Sequence, residues 1–172
     1  MSEIPAAPDT PGPVAGTAPL SAPSEYGPAL DRLLALADGE ILVFDRDLKD
    51  GGWNAPARIE ALRLFLLGRH NARLQIIVHE TTHIESALPR LVALLRDFSH
   101  KFSILHTIED GRKAWDAFVI VDSRHVLHRF HQDSARGELA MHAPLKAREL
   151  RDRYDDILCF TEPGVNATQL GL

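Results

Sequence analysis

The sequence predicts a single α/β domain in which a mixed, mainly parallel sheet is flanked by helices, and three observations predict it. Between Ile41 and His106 short apolar runs alternate with longer amphipathic stretches, the pattern of repeated β-α-β units whose right-handed crossovers build a parallel sheet. Two further apolar runs, Ala117–Val121 and Val126–Phe130, are separated only by Asp122, Ser123, Arg124 and His125, a hairpin-length link that adds antiparallel strands. Finally, 172 residues with 45% hydrophobic content suffice for one core of ordinary domain size.

The elements follow in order. Residues 1–24 are mostly Pro, Ala, Gly, Ser and Thr, and after Met1 only Ile4, Val14 and Leu20 are large apolar side chains, too little surface to offset ordering entropy, so a disordered tail is expected. The domain is expected over residues 25–163, with a C-terminal tail over 164–172. Leu30, Leu33, Leu34 and Ala37 recur at helical spacing and predict a helix from about Pro28 to Ala37. Ile41–Phe44 is an apolar run too short for a helix and suits a strand buried on both faces. Asn54 as N-cap, Pro56 in the first turn and the stripe Ile59, Leu62, Phe65, Leu66 predict the next helix. A strand at Arg73–Val78, a helix at Ala87–Phe98 with Ser86 as its N-cap, and a strand at Phe102–His106 complete the parallel unit. After the hairpin come a short strand near Leu139–Met141 and a closing helix from about Pro144 to Phe160.

Composition narrows the function classes. A net charge of -5 lacks the basic footprint of a phosphate-binding surface, so a nucleic-acid partner is not expected. Cys159 is the single cysteine, which forbids an intramolecular disulfide, and its place on a packed helix predicts a buried structural thiol. The start MSEIPAAPDT lacks the basic and apolar regions of a secretory signal, which predicts a cytoplasmic protein. No apolar run approaches the roughly 20 residues that cross a bilayer.

One motif invites a specific chemistry. His79, Glu80 and His83 spell H-E-x-x-H, which binds zinc when both histidines share one face of a helix. Here a strand runs into the motif, Val78 and two threonines disfavour helix interior, and Ser86 and Arg90 occupy the places of the Gly and His that extend the motif in metzincins. No metal and no cofactor are therefore expected. Carboxyl ends of parallel strands are nevertheless where α/β folds hold ligands, so Asp45, Arg46, Asp47, His79, Glu80, His106 and Glu109 are read as a candidate cleft. His125, His128 and His131 alternate sides of a strand and do not suit a single metal. Arg112, Lys113, Arg124 and Arg129 are read as a modest basic patch without an aromatic stacking platform.

The order β-α-β-α-β, then a close strand pair around "DAFVIVDSRHVLHRF", then a long helix ending in "YDDILCF", resembles one half of a phospholipase D-like fold over about Asp38 to Glu162. That superfamily carries His-x-Lys-x4-Asp, where the resemblance implies a histidine nucleophile, a phosphate-binding lysine and a supporting aspartate. Laid on "WDAFVIVD", the Asp is Asp122, while the His and Lys positions are Trp115 and Ala117, which offer neither a nucleophilic nitrogen nor a charge. The chain is also similar to an uncharacterised proteobacterial domain family with this degenerate pattern, whose members stand alone or are attached to GNAT-type acetyltransferases; nothing before Tyr26 has the composition of such a domain. The resemblance implies a non-catalytic binding or accessory module, with a homodimer or another protein as partner. The alternative is a phosphodiesterase or metal-dependent hydrolase using His79, Glu80 and His83, or His106.

Overall fold

The computed structural model describes residues 16–167. In chain order these form β1 (Gly16–Leu20), α1 (Pro23–Leu34), β2 (Glu40–Asp45), α2 (Pro56–Gly68), β3 (Arg73–Val78), α3 (Thr82–Ala87), α4 (Pro89–Asp97), β4 (Phe102–Thr107), β5 (Ala117–Val121), β6 (His125–Arg129), β7 (Gly137–Met141), α5 (Pro144–Leu158) and β8 (Thr161–Val165). A 3-10 turn at Glu109–Lys113 leads from β4 towards β5. The strands make one sheet in the order β1-β7-β6-β5-β2-β3-β4-β8.

The α/β class and the mixed sheet are as expected, but the parallel part is confined to β2, β3 and β4. Every other neighbouring pair among the described strands is antiparallel. Alternation along the central strands explains the layers. In β2, Ile41 and Val43 point into one core with α1, α2 and α4, whereas Leu42 and Phe44 point into the other, under α5. β5 repeats the pattern, with Val119 and Val121 on the first face and Phe118 and Ile120 on the second. Each such fully buried side chain contributes roughly 1.5–3 kcal/mol, so both cores hold the central strands in register.

Several local expectations are corrected. Gly16–Leu20, placed in the tail by composition, pairs antiparallel with β7 through main-chain bonds, which composition does not reveal; Leu20 is its one buried side chain. Residues 1–15 and 168–172 lie outside the described residues, and the C-terminal tail begins later than expected because β8 runs to Val165. Asn54 does not cap α2; its side chain instead accepts the backbone N–H of Arg90 at 2.9 Å, in the first turn of α4. Ser86 lies inside α3 and bonds back to the Thr82 carbonyl, and Pro89 forces Leu88 out of helical geometry, so one predicted helix becomes two. Cys159 is exposed, since α5 has ended at Leu158.

Candidate functional site

At the carboxyl end of β2 the chain turns sharply around Asp45. Its carboxylate Oδ1 accepts the backbone N–H groups of Asp47 at 3.2 Å and Leu48 at 3.1 Å, and Leu48 takes a positive φ of 59° to complete the turn. Asp45 is only 3% exposed. Burial pushes its carboxyl above the ordinary range, and the charge of nearby Arg129 opposes that shift.

Arg129, at the end of β6, is itself buried. Its guanidinium lies 4.9 Å from the Tyr26 ring centroid, donates from Nη1 to Asp50 at 2.7 Å and from Nη2 to the Gln132 carbonyl at 3.0 Å. Tyr26 comes from α1, and burial raises its phenol far above the usual value, so the ring carries a neutral hydroxyl. Asp45, Tyr26 and Arg129 together line a cavity of about 380 Å³, with Arg46, Asp47 and Asp133 also in its wall.

Beside this cavity, His79 is fully engaged. Nε2 donates to the Ala114 carbonyl at 2.7 Å, which leaves Nδ1 to accept from the Thr107 hydroxyl at 2.6 Å. Burial, reinforced by the charges of Arg112 and Arg46, holds its pKa below the ordinary histidine value. His79 therefore braces β3 to β4 and to the segment before β5, and it presents no free ring nitrogen. His83 belongs to α3, whereas His79 precedes that helix, so the two do not form the i, i+4 pair of a zinc helix. Among the described residues no group of three or more His, Cys, Asp or Glu is placed to hold a metal ion.

The expected cleft thus divides. Asp45, Arg46 and Asp47 line the cavity; His79 is sequestered next to it; Glu80, His106 and Glu109 do not line it. His106 sits 3.9 Å from Glu162 of β8, and Glu109 opens the 3-10 turn with a φ of 45°. The three histidines around β6 also separate: His125 packs edge-on against His142, His128 bonds Asp116 at 3.0 Å, and His131 stacks on Trp115. The basic patch does not assemble, because Arg124 lies at the β5–β6 turn, at the opposite end of β6 from the buried Arg129. Tyr26 and Gln132 escaped sequence reading. Each is brought to the site from a distant element, and no local spacing marks it.

The degenerate motif spans the sheet from end to end. Trp115 precedes β5 at the cavity end and is 58% exposed, its ring stacked on His131 at 6.2 Å. Phe130, 51% exposed, and Leu145 add to the same class of uncovered apolar side chains. Trp115 and Phe130 line one shallow groove with Lys113 and Arg153. Ala117 is completely buried. Asp122 lies at the far end of β5, where it accepts the N–H groups of Asp38, Gly39 and Glu40, each at 2.8 Å. It staples the start of β2 and is remote from Trp115. Between them Asp116 bonds His128 and, at 2.6 Å, Arg153. Burial alone would raise the Asp116 carboxyl, yet these two partners outweigh it and hold the group below the usual range.

No curated protein sequence matches the chain. Solved structures with this fold include TrmBL2, an archaeal chromatin protein described with a novel mode of DNA binding, at TM-score 0.65 and 13% identity over 91% of this chain. This chain spans only 56% of TrmBL2. Nuc from Salmonella typhimurium, a phospholipase D family member, superposes with TM-score 0.63 at 12% identity, covering 89% of this chain and 100% of Nuc. NucT from Helicobacter pylori gives 0.59 at 12% identity, with 86% and 98% covered. These likenesses establish the phospholipase D-like fold. Residues 23–162 match a family described as a domain of unknown function, DUF7931, and the chain belongs to that family.

Proposed function

We propose that the protein is a non-catalytic binding or accessory module built on a phospholipase D-like half. One observation carries the reading: the positions that align with the nucleophile and the phosphate-binding lysine hold an exposed tryptophan and a completely buried alanine. His79, the histidine nearest to them from the candidate cleft, has both ring nitrogens engaged and cannot substitute. Asp122 survives for a reason unconnected with chemistry, since its oxygens are consumed by three backbone donors.

The face around Trp115 and Phe130 supports a homodimer, because adjacent large apolar side chains are otherwise left in water. If members of the family attach to GNAT-type acetyltransferases, such an enzyme is the protein partner to test first. No helix among those described is long and apolar enough to cross a membrane.

A single-stranded nucleic acid is the second reading. It is favoured by the aromatic pair Trp115 and Phe130 in one groove and by the DNA binding described for TrmBL2, while Lys113 and Arg153 of that groove are paired with Asp110 and Asp116. Quenching of tryptophan fluorescence by oligo(dT) that disappears in Trp115→Ala would support it. The main reading is tested by incubation with bis(p-nitrophenyl) phosphate. Release of p-nitrophenolate should not exceed that of buffer, and turnover that scales with protein and is lost on mutation of a cleft histidine would end the proposal.

A further inference from the structure

When Asp45 is ionised, the cavity at the end of β2 carries one negative charge more than its own cations neutralise. Arg129 pairs with Asp50 at 2.7 Å, Arg46 with Asp133 at 2.8 Å and Lys49 with Asp47 at 3.0 Å. Asp45, on the floor, is left without an ion-pair partner among the described residues. Its Oδ1 takes two backbone donors, whereas Oδ2 makes no hydrogen bond to any of the described residues. Tyr26, 5% exposed, likewise has a hydroxyl with no hydrogen-bond partner among the described residues. Both residues line the cavity.

A carboxylate this deep is costly unless paired. An anion would meet the surplus negative charge, and the acids are not grouped to surround a metal ion. What fits is a compact cation with several N–H donors. We propose that the cavity binds a primary ammonium group, with Asp45 Oδ2 as counter-charge, the Tyr26 hydroxyl as second acceptor, and the remaining volume holding the amine's aliphatic chain. This deepens the binding-module reading by naming its ligand class. The amine can belong to a free polyamine or to a lysine side chain.

Isothermal titration of the full chain with spermidine and with Nα-acetyl-lysine amide distinguishes these sources, and tetramethylammonium, which has charge but no N–H, is the control. Saturable binding of at least one primary amine and none of tetramethylammonium is expected. Asp45→Asn should weaken binding about tenfold or more while keeping the fold, because the amide oxygen still accepts from Asp47 and Leu48. Tyr26→Phe, which removes only the second acceptor, should weaken it about threefold or more. The absence of saturable amine binding, or unchanged affinity in both variants, overturns the proposal. Phosphodiester turnover by the same preparation would end the non-catalytic reading and leave the ammonium site standing, so the two failures are separable.

Discussion

Removing the Asp122 carboxylate tests whether the one retained motif residue is a structural staple. Its side chain holds three backbone N–H groups at the start of β2, two of them in part-buried positions and the one from Asp38 exposed. In Asp122→Ala water replaces the partner of the exposed donor at little cost. The two part-buried donors lose charge-assisted bonds at about 1–1.5 kcal/mol each, so the variant should be about 2–3 kcal/mol less stable. For a chain of this size that lowers Tm by about 4–12 °C. Asp122→Asn, which keeps one acceptor oxygen and tolerates the positive φ of 51°, should lose about half as much. Differential scanning calorimetry with urea titration reads both values. A Tm for Asp122→Ala within about 2 °C of wild type would refute the staple.

Other predictions follow from the same geometry. Because burial holds His79 and His125 below the ordinary histidine value, the unfolded chain takes up protons that the folded chain refuses as pH falls through about 6.5. Their contribution is thus complete above that pH and is lost below it; because the raised carboxyl of buried Asp45 acts in the opposite sense, the test is made in Asp45→Asn, where a urea midpoint that rises on acidification from pH 7 to 5.5 would contradict this. Trp115→Glu should leave far-UV circular dichroism intact, since the residue is exposed, while shifting sedimentation from dimer to monomer. A wild type that is already monomeric at tens of micromolar, or a variant that unfolds, argues against the dimer face. Purified protein should carry no stoichiometric zinc by elemental analysis, and His83→Ala should leave Tm nearly unchanged, whereas one bound zinc lost in that variant would restore the zinc-helix reading.

The elements were legible where periodicity is strong. β2, β3 and β5 announced themselves because strands buried on both faces read as unbroken apolar runs, and α5 because its stripe docks on the sheet. β1 was not legible: an edge strand held by main-chain bonds needs no apolar side chains, and GTAPL therefore reads as tail. The site was legible in part. Asp45 and Asp47 follow a parallel strand, the place where ligands bind in such folds, but Tyr26 and Arg129 meet them only through tertiary packing of α1 on β6. His79 shows the opposite failure. Sequence offered it as a ligand or nucleophile, while Thr107 and the Ala114 carbonyl, distant in the chain, make it a brace.

We propose that this chain lacks the nucleophile of the phospholipase D-like enzymes. A phosphohistidine intermediate would be the direct signature of phosphodiester chemistry, so the decisive measurement is intact-protein mass spectrometry after rapid mixing with a phosphodiester. The mass should stay unchanged, because Trp115 and Ala117 supply no attacking or phosphate-binding group and both nitrogens of His79 are committed. A phosphoryl adduct that is labile to acid and absent from His79→Ala or His106→Ala would contradict it.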